Sequence, residues 1–134
     1  MNQITGWKKY TVWVISVLLT LAFFMAGGAK ITGAEQIVQN FEKWGFPFFF
    51  LYVVGGSEIL FAIGLWVPRL NGLSALGLVA LMIGAVGTHV VFGEFNQLAP
   101  ATILGILSAV VFWIRYPATR ELYLRIRGLA VEKG

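Results

Sequence analysis

Four long runs of apolar residues, separated by short polar stretches, account for most of the chain. A helix needs about 20 mainly apolar residues to cross the ~30 Å of hydrocarbon in a bilayer, and each run is long enough. The runs predict four transmembrane helices, at residues 10–29, 46–67, 70–92 and 98–114. We therefore expect an all-α fold, an integral membrane four-helix bundle, with residues 1–134 in a single domain.

Two further stretches have the pattern of helices that lie on a membrane surface. Between the first two spans, apolar residues recur at helical spacing among polar ones: Ala34, Ile37, Val38, Phe41 and Trp44. This spacing predicts a short amphipathic helix in the outer interface. After the fourth span we expect Pro117 to break the helix, so that residues 117–131 form a separate, basic surface helix on the cytoplasmic side.

The basic residues indicate the orientation of the bundle. The chain has ten lysines and arginines against six acidic residues, a formal net charge of +4. Eight of the ten lie on the side of the spans that holds both termini, and only Lys30 and Lys43 lie on the other. The positive-inside rule therefore predicts that both termini lie in the cytoplasm. Basic flanks of this kind meet anionic headgroups, which indicates membrane lipids as partners and no nucleic acid.

Small residues predict where the helices approach one another. On a helix, Glu58 shares a face with Leu51, Gly55 and Ala62, and the last two leave room for a neighbouring backbone. The third span carries small residues near one stripe, which predicts a central helix with this stripe against a partner. The stripe consists of Ser74, Gly77, Ala80, Gly84, Gly87 and Thr88.

Glu58 is the first candidate for a functional residue. A carboxylate near the middle of a span costs at least ~2.5 kcal/mol on insertion scales, and such residues face a protein interior or a watered cavity. Lys30 ends the first span and His89 lies near the end of the third, so three ionisable side chains occupy the outer half of the bundle. Their depths suggest a polar cavity that opens outward, with Lys30 and His89 near its mouth and Glu58 at its floor. Further hydrogen-bonding side chains near that mouth are Ser57, Thr88, Asn96 and Gln97.

Each of these residues also has a structural interpretation. Glu58 would then be a neutral carboxyl bonded to Ser or Thr across a helix interface, and Lys30 would extend its ammonium to the headgroups. His89 would bond a backbone carbonyl, and Asn96 and Gln97 would belong to the outer loop. The sequence leaves both interpretations open.

Several kinds of chemistry have little support in the sequence. The chain has no cysteine, which excludes thiol catalysis and thiolate metal sites, and one histidine with six carboxylates makes a metal site unfavourable. The glycine pairs at 27–28 and 55–56 have neither the spacing nor the preceding strand of a nucleotide-binding loop. We therefore expect no intrinsic cofactor and no self-contained catalytic constellation.

Short motifs in four successive segments resemble those of the DoxX-like family of small four-helix bacterial membrane proteins. They are Gly27-Gly28-Ala29-Lys30-Ile31, Gly45-Phe46-Pro47, Gly55-Gly56-Ser57-Glu58, and Ala85 with His89. The resemblance covers about residues 16–114 and implies that Lys30, Glu58 and His89 are the polar positions typical of the family. It also implies an association with membrane redox systems, including thiosulfate-to-quinone electron transfer, or with lipophilic ligands.

These observations favour a membrane protein that binds a small lipophilic molecule, quinone-like or lipid, in an outward-facing polar pocket. It would serve as membrane subunit of a redox or stress-detoxification system, with redox partner proteins supplying electrons. One alternative is a membrane assembly factor or scaffold in which Glu58 is structural. Another is a small-solute transporter, acting as a homo-oligomer.

Overall fold

The computed structural model describes residues 6–131, which form five α-helices and one short 3₁₀ turn. The helices are α1 (Trp7–Ile31), α2 (Glu35–Trp44), α3 (Phe48–Gly64), α4 (Asn71–Val91) and α5 (Leu98–Val131), and the 3₁₀ turn is Phe95–Gln97. The described part of the chain contains no strand, so the predicted all-α membrane-type bundle is confirmed.

Three stretches are long and apolar enough to cross a membrane alone: Trp7–Ile31, Asn71–Val91 and Phe95–Pro117. The 17 residues of α3 rise only about 25 Å, somewhat less than the hydrocarbon thickness. Its helix ends at Gly64, earlier than the predicted span, and turns occupy the residues before α4. The chain is a multi-pass membrane protein with three helices that can span alone, and with four spans if the bent pair of α2 and α3 counts as one.

The predicted amphipathic helix is present as α2, and its axis makes an angle of 118° with that of α3. Glycines with positive φ flank it, Gly33 at 70° and Gly45 at 79°. Residues with a Cβ rarely adopt this backbone conformation. Because of the sharp bend, α2 runs across the end of the bundle rather than along it. We call this end, which holds α2 and the 3₁₀ turn, the α2 end.

The four long helices enclose one core, in which α1 packs mainly on α3 and α4 mainly on α5. Contacts of α3 with α4 and of α1 with α5 close the ring. Large apolar side chains fill the centre, including Leu19, Phe23, Leu78 and Val111. Many others point outward, such as Met25 at 76% and Ile83 at 69% exposure, as expected for helices that meet lipid.

The prediction for the small residues of α4 is only partly correct. Ser74 is buried and Gly77 lies against the ring of Phe61, but Gly84 and Gly87 are exposed with open space around them. Ala80 is exposed as well, and the buried stripe instead continues through the larger side chains Leu78 and Met82. Because the outer face of the bundle meets lipid as apolar as these side chains, the face of α4 that makes more van der Waals contact with the neighbouring helices packs inward, and the small stripe lies outward at the α2 end.

The helix break expected at Pro117 is absent, because α5 continues through this residue to Val131. A proline inside a helix removes one hydrogen bond and crowds the preceding turn, which bends a helix without always ending it. The 34 residues of α5 rise about 51 Å, more than a bilayer core needs. Residues 117–131 are thus helical, as predicted, but as an extension of the last span; their placement on the cytoplasmic membrane surface stays a prediction.

Candidate functional site

The most deeply buried charged contact joins α1 to α3. Lys30 Nζ lies 2.9 Å from Glu58 Oε1, with side-chain exposures of 14% and 3%. Glu58 is ten residues from the start of α3, about 15 Å below the α2 end by helix rise. The predicted candidates Lys30 and Glu58 thus form a direct ion pair, where the sequence analysis placed them at different depths of a cavity.

Close helix packing brings this pair together. A Cβ added to Gly27 would lie 2.7 Å from the carbonyl oxygen of Gly55, so no larger residue fits while the backbones stay in place. A Cβ added to Gly55 would lie equally close to the Cβ of Lys30, whose side chain therefore crosses α3 at this glycine. Glu58 follows Gly55 by one turn on the same face. The glycines of two different helices thus create the site of the ion pair.

The direction of the two helices explains why the side chains meet. In an α-helix each Cα–Cβ bond leans toward the N-terminus of its own helix. Because α1 ends at the α2 end and α3 begins there, the Lys30 side chain leans into the bundle and the Glu58 side chain leans back toward the α2 end. The two charged groups therefore converge from different levels.

The ion pair leaves part of the hydrogen-bonding capacity of the carboxyl group unused. Glu58 Oε1 is inaccessible, and among the described residues its partner is the Lys30 ammonium, 2.9 Å away but outside hydrogen-bond geometry. The ammonium also lies 3.5 Å from the carbonyl oxygen of Ala26. A buried oxygen without a hydrogen bond is unfavourable, so the pair can accept a further donor if one reaches it.

A second polar cluster lies at the α2 end and has Glu94 at its centre. The Glu94 carboxylate forms an ion pair with Lys43, accepts a hydrogen bond from Trp44 Nε1 at 3.2 Å, and lies 2.9 Å from His89 Nδ1. The rings of Trp44 and His89 also contact each other, with centroids 5.7 Å apart. These contacts fasten the C-terminal end of α2 to the end of α4.

The hydrogen bonds of this cluster also determine its protonation. The Lys43 and His89 hydrogen bonds lower the pKa of Glu94 to about 2, from an ordinary value of 4.5. An ionised carboxylate can only accept hydrogen bonds, so His89 carries a hydrogen on Nδ1 and donates a hydrogen bond from this N–H to Glu94. His89 is therefore oriented by Glu94, and it makes no described contact with Glu58.

The other predicted site residues do not join either group. Thr88 donates to the carbonyl of Gly84 in its own helix at 2.9 Å. Ser57 is half-buried, whereas Asn96 and Gln97 are exposed in the 3₁₀ turn. The seven predicted residues are thus divided between the Lys30–Glu58 pair, the Glu94 cluster and isolated positions, and their role in ligand binding stays a prediction.

A cleft of about 420 Å³ opens between α2 and the start of α3. Its lining is mainly apolar and aromatic, with one charged side chain: Val38, Phe41, Glu42, Gly45, Phe46, Phe48 and Leu51. None of the seven predicted site residues is among them. Leu51 lies two turns above Glu58 on the same face of α3, about 10 Å by helix rise, so the cleft is above the buried ion pair. Its volume is within the ~300–1,000 Å³ typical of small-molecule sites.

Sequence reasoning did not identify Glu94 or Glu42 as site residues. Glu94 follows a helix and precedes a turn, so its sequence context is that of an ordinary loop carboxylate. The amphipathic pattern of α2 contained a usable signal for Glu42: it directly follows Phe41, on the border between the apolar and polar faces. A charged residue at that border can line a groove beneath the helix.

The sequence match to known proteins covers the same region as these groups. A protein-family model described as the DoxX-like family matches residues 14–111, from the first helix into the fifth. The match includes Lys30, Glu58, His89 and Glu94. No curated protein and no solved structure matches the chain.

Proposed function

The chain belongs to the DoxX-like family, and we propose that it binds a small lipophilic molecule, quinone-like or lipid, at the α2 end of the bundle. The cleft between α2 and α3 receives the apolar body of the ligand. The protein serves as membrane subunit of a redox or stress-detoxification system in a bacterial inner membrane, and partner proteins supply the electrons. With its termini in the cytoplasm, the cleft faces the outer leaflet.

The observation that carries this proposal is the position of the cleft above a buried ion pair. Leu51 contributes to the cleft, and the Lys30–Glu58 pair lies about two turns deeper on the same helix face. Charged groups within a membrane span are costly and mark functional positions by default. A ligand whose polar group reaches past Leu51 would supply the missing hydrogen bond to Glu58 Oε1.

Mass spectrometry of the purified protein tests the proposal. After extraction under mild conditions, we expect one lipophilic species to be enriched over the bulk membrane lipids. Val38→Trp obstructs the cleft and should remove this species, whereas Val53→Trp, which adds the same side chain on the exposed side of α3, should retain it. The proposal fails if no species is enriched in the wild type, or if both variants retain it equally.

A membrane assembly factor or scaffold is the second candidate, and the extension of α5 favours it. Beyond Pro117 the helix exposes Tyr123 at 58% and Ile126 at 63%, beside several arginines. This surface would recruit a partner, and the Lys30–Glu58 pair would only join helices. In that case charge reversal at Arg120, Arg125 and Arg127 abolishes partner capture in pull-downs, while Val38→Trp has no effect on it.

A further inference from the structure

The charges at the α2 end are not balanced. This end carries two lysines and four glutamates, a formal net charge of −2. Both lysines are engaged in ion pairs, Lys30–Glu58 and Lys43–Glu94. The two remaining carboxylates, Glu35 and Glu42, belong to α2, and Gln39 Nε2 lies 3.4 Å from the first. An excess of negative charge at one end of the bundle attracts cations.

Glu42 brings this excess charge into the cleft. It is the one charged residue of the lining, and within residues 6–131 its side chain has no ion-pair or hydrogen-bond partner. Its neighbour Lys43 points to Glu94 and does not neutralise it. The cleft is therefore bordered by a residue whose carboxylate is unpaired within the described part of the chain.

The aromatic part of the lining favours the same sign of ligand charge. Phe41, Phe46 and Phe48 line the cleft, and the rings of Phe41 and Phe46 are in contact, with centroids 5.8 Å apart. The face of an aromatic ring attracts a cation, and it also contacts an apolar body favourably. A carboxylate beside several aromatic rings in a cleft of about 420 Å³ is suited to a cation with an apolar body.

We propose that the cleft between α2 and α3 binds a monovalent organic cation attached to an apolar body. Such a group occurs in amine-bearing lipid headgroups and in free lipophilic amines. The inference rests on the proposed function, because it assumes that the cleft is the ligand site, and it chooses a cationic ligand over a neutral quinone. Glu42 provides the counter-charge, and the phenylalanine rings contact the apolar body.

Two probes of the same shape and opposite charge test the sign of the ligand. Binding of tetraphenylphosphonium and of tetraphenylborate is measured by equilibrium dialysis with the full chain in dodecyl maltoside, and binding to empty micelles is subtracted. We expect the wild type to bind the phosphonium in preference to the borate. Val38→Trp, which obstructs the cleft, should abolish binding of the phosphonium.

Glu42→Gln and Glu35→Gln form a matched pair of variants, since both remove one carboxylate from α2 and only Glu42 lines the cleft. We expect Glu42→Gln, at an exposed residue, to weaken phosphonium binding about fivefold, the upper limit for an exposed charge pair. Glu35→Gln should leave it within about twofold, since a screened charge outside the site contributes little. Circular dichroism confirms that each variant is folded.

Three results would overturn the inference: equal binding of the two probes, equal loss in the two glutamine variants, or no binding above that of empty micelles. An enriched neutral lipophile in the mass spectrum would then leave the proposed function standing while the cationic ligand is rejected. If the mass spectrum also shows no enriched lipophile, both the proposed function and the cationic ligand are rejected.

Competition distinguishes the two sources of the cation. If phosphatidylethanolamine displaces the phosphonium and phosphatidylglycerol does not, the inference is supported and the source is a lipid headgroup. If dodecylamine displaces it and phosphatidylethanolamine does not, the inference is supported and the source is a free amine. If neither phosphatidylethanolamine nor dodecylamine displaces the phosphonium, the inference is contradicted.

Discussion

Replacing the two residues of the buried ion pair by methionine, singly and together, measures the coupling free energy between them. Methionine is unbranched, favours helix and has a size similar to both residues. Lys30→Met leaves the Glu58 carboxyl, 3% exposed, without a counter-charge, and Glu58→Met leaves the Lys30 ammonium, 14% exposed, in the same situation. The double variant leaves no charge at this position.

The expected magnitudes follow from this burial. Removing one partner of a buried ion pair costs about 3–5 kcal/mol, because the other charge stays without compensation. We expect about 3 kcal/mol for Glu58→Met, the lower limit, because the lysine side chain can extend toward the α2 end. Lys30→Met should cost more, since Glu58 is the more deeply buried partner. The double variant should lie within about 1 kcal/mol of the wild type, since apolar side chains of similar volume replace a buried pair well.

Unfolding by sodium dodecyl sulfate in mixed micelles, followed by tryptophan fluorescence, gives the four free energies of unfolding; the chain has five tryptophans. The cycle should yield a coupling of about 5 kcal/mol or more, the sum of the two single effects less the effect of the double variant, against ~0–1 kcal/mol for exposed pairs. Lys43→Met is the control: the Lys43 side chain is 55% exposed, so this variant should lose little free energy of unfolding. If the single effects simply add in the double variant, the two charges do not interact and the structural argument is refuted.

Two other features give testable predictions. Gly27→Ala should destabilise the fold by about 1–3 kcal/mol, because its Cβ would overlap the carbonyl oxygen of Gly55. Gly28→Ala, in open space, is the control and should leave the thermal unfolding temperature unchanged or slightly raised. Equal effects of the two substitutions would contradict the close contact of α1 and α3. Glu94→Gln should accelerate hydrogen exchange in α2, because it removes the ion pair to Lys43. The pKa of Glu94 is lowered to about 2 from 4.5, so its stabilising effect is fully present above pH ~4.5 and is lost as the pH falls toward 2. If the protection of the α2 amides, corrected for their intrinsic exchange rate, already falls between pH 7 and pH 5, this assignment is contradicted.

The spans were predictable from sequence because both the core and the lipid-facing surface of a membrane bundle are apolar, so long runs of such residues suffice. The helix α2 was predictable from its periodicity, and the Glu58 face of α3 from its small residues. The face of α4 was not, because a helix with apolar residues all around has no polar side to mark its orientation. The continuation of α5 through Pro117 depends on how far the helix bends, which a residue type does not determine.

Some members of the two polar groups could be singled out from the sequence, but their arrangement could not. The lone charges in apolar runs identified Lys30, Glu58 and His89, but helix rise alone placed them at separate depths. The convergence of Lys30 and Glu58 depends on the contact of Gly27 with Gly55 and on the opposite lean of side chains in antiparallel helices. The contact of His89 with Glu94 depends on the fold of the connection between them, and no periodicity determines that fold.

The buried pair has a consequence for function that stability alone does not explain. If apolar side chains replace Lys30 and Glu58 at little cost, then the charges are not needed to hold α1 against α3, since Gly27 and Gly55 already allow that contact. The double methionine variant would then be folded but without the polar group beneath the cleft. In the ligand proposal such a protein loses the enriched lipophile, and in the scaffold alternative it keeps its partner. One folded variant thus separates the two functions, which neither single substitution can do because each also destabilises the bundle.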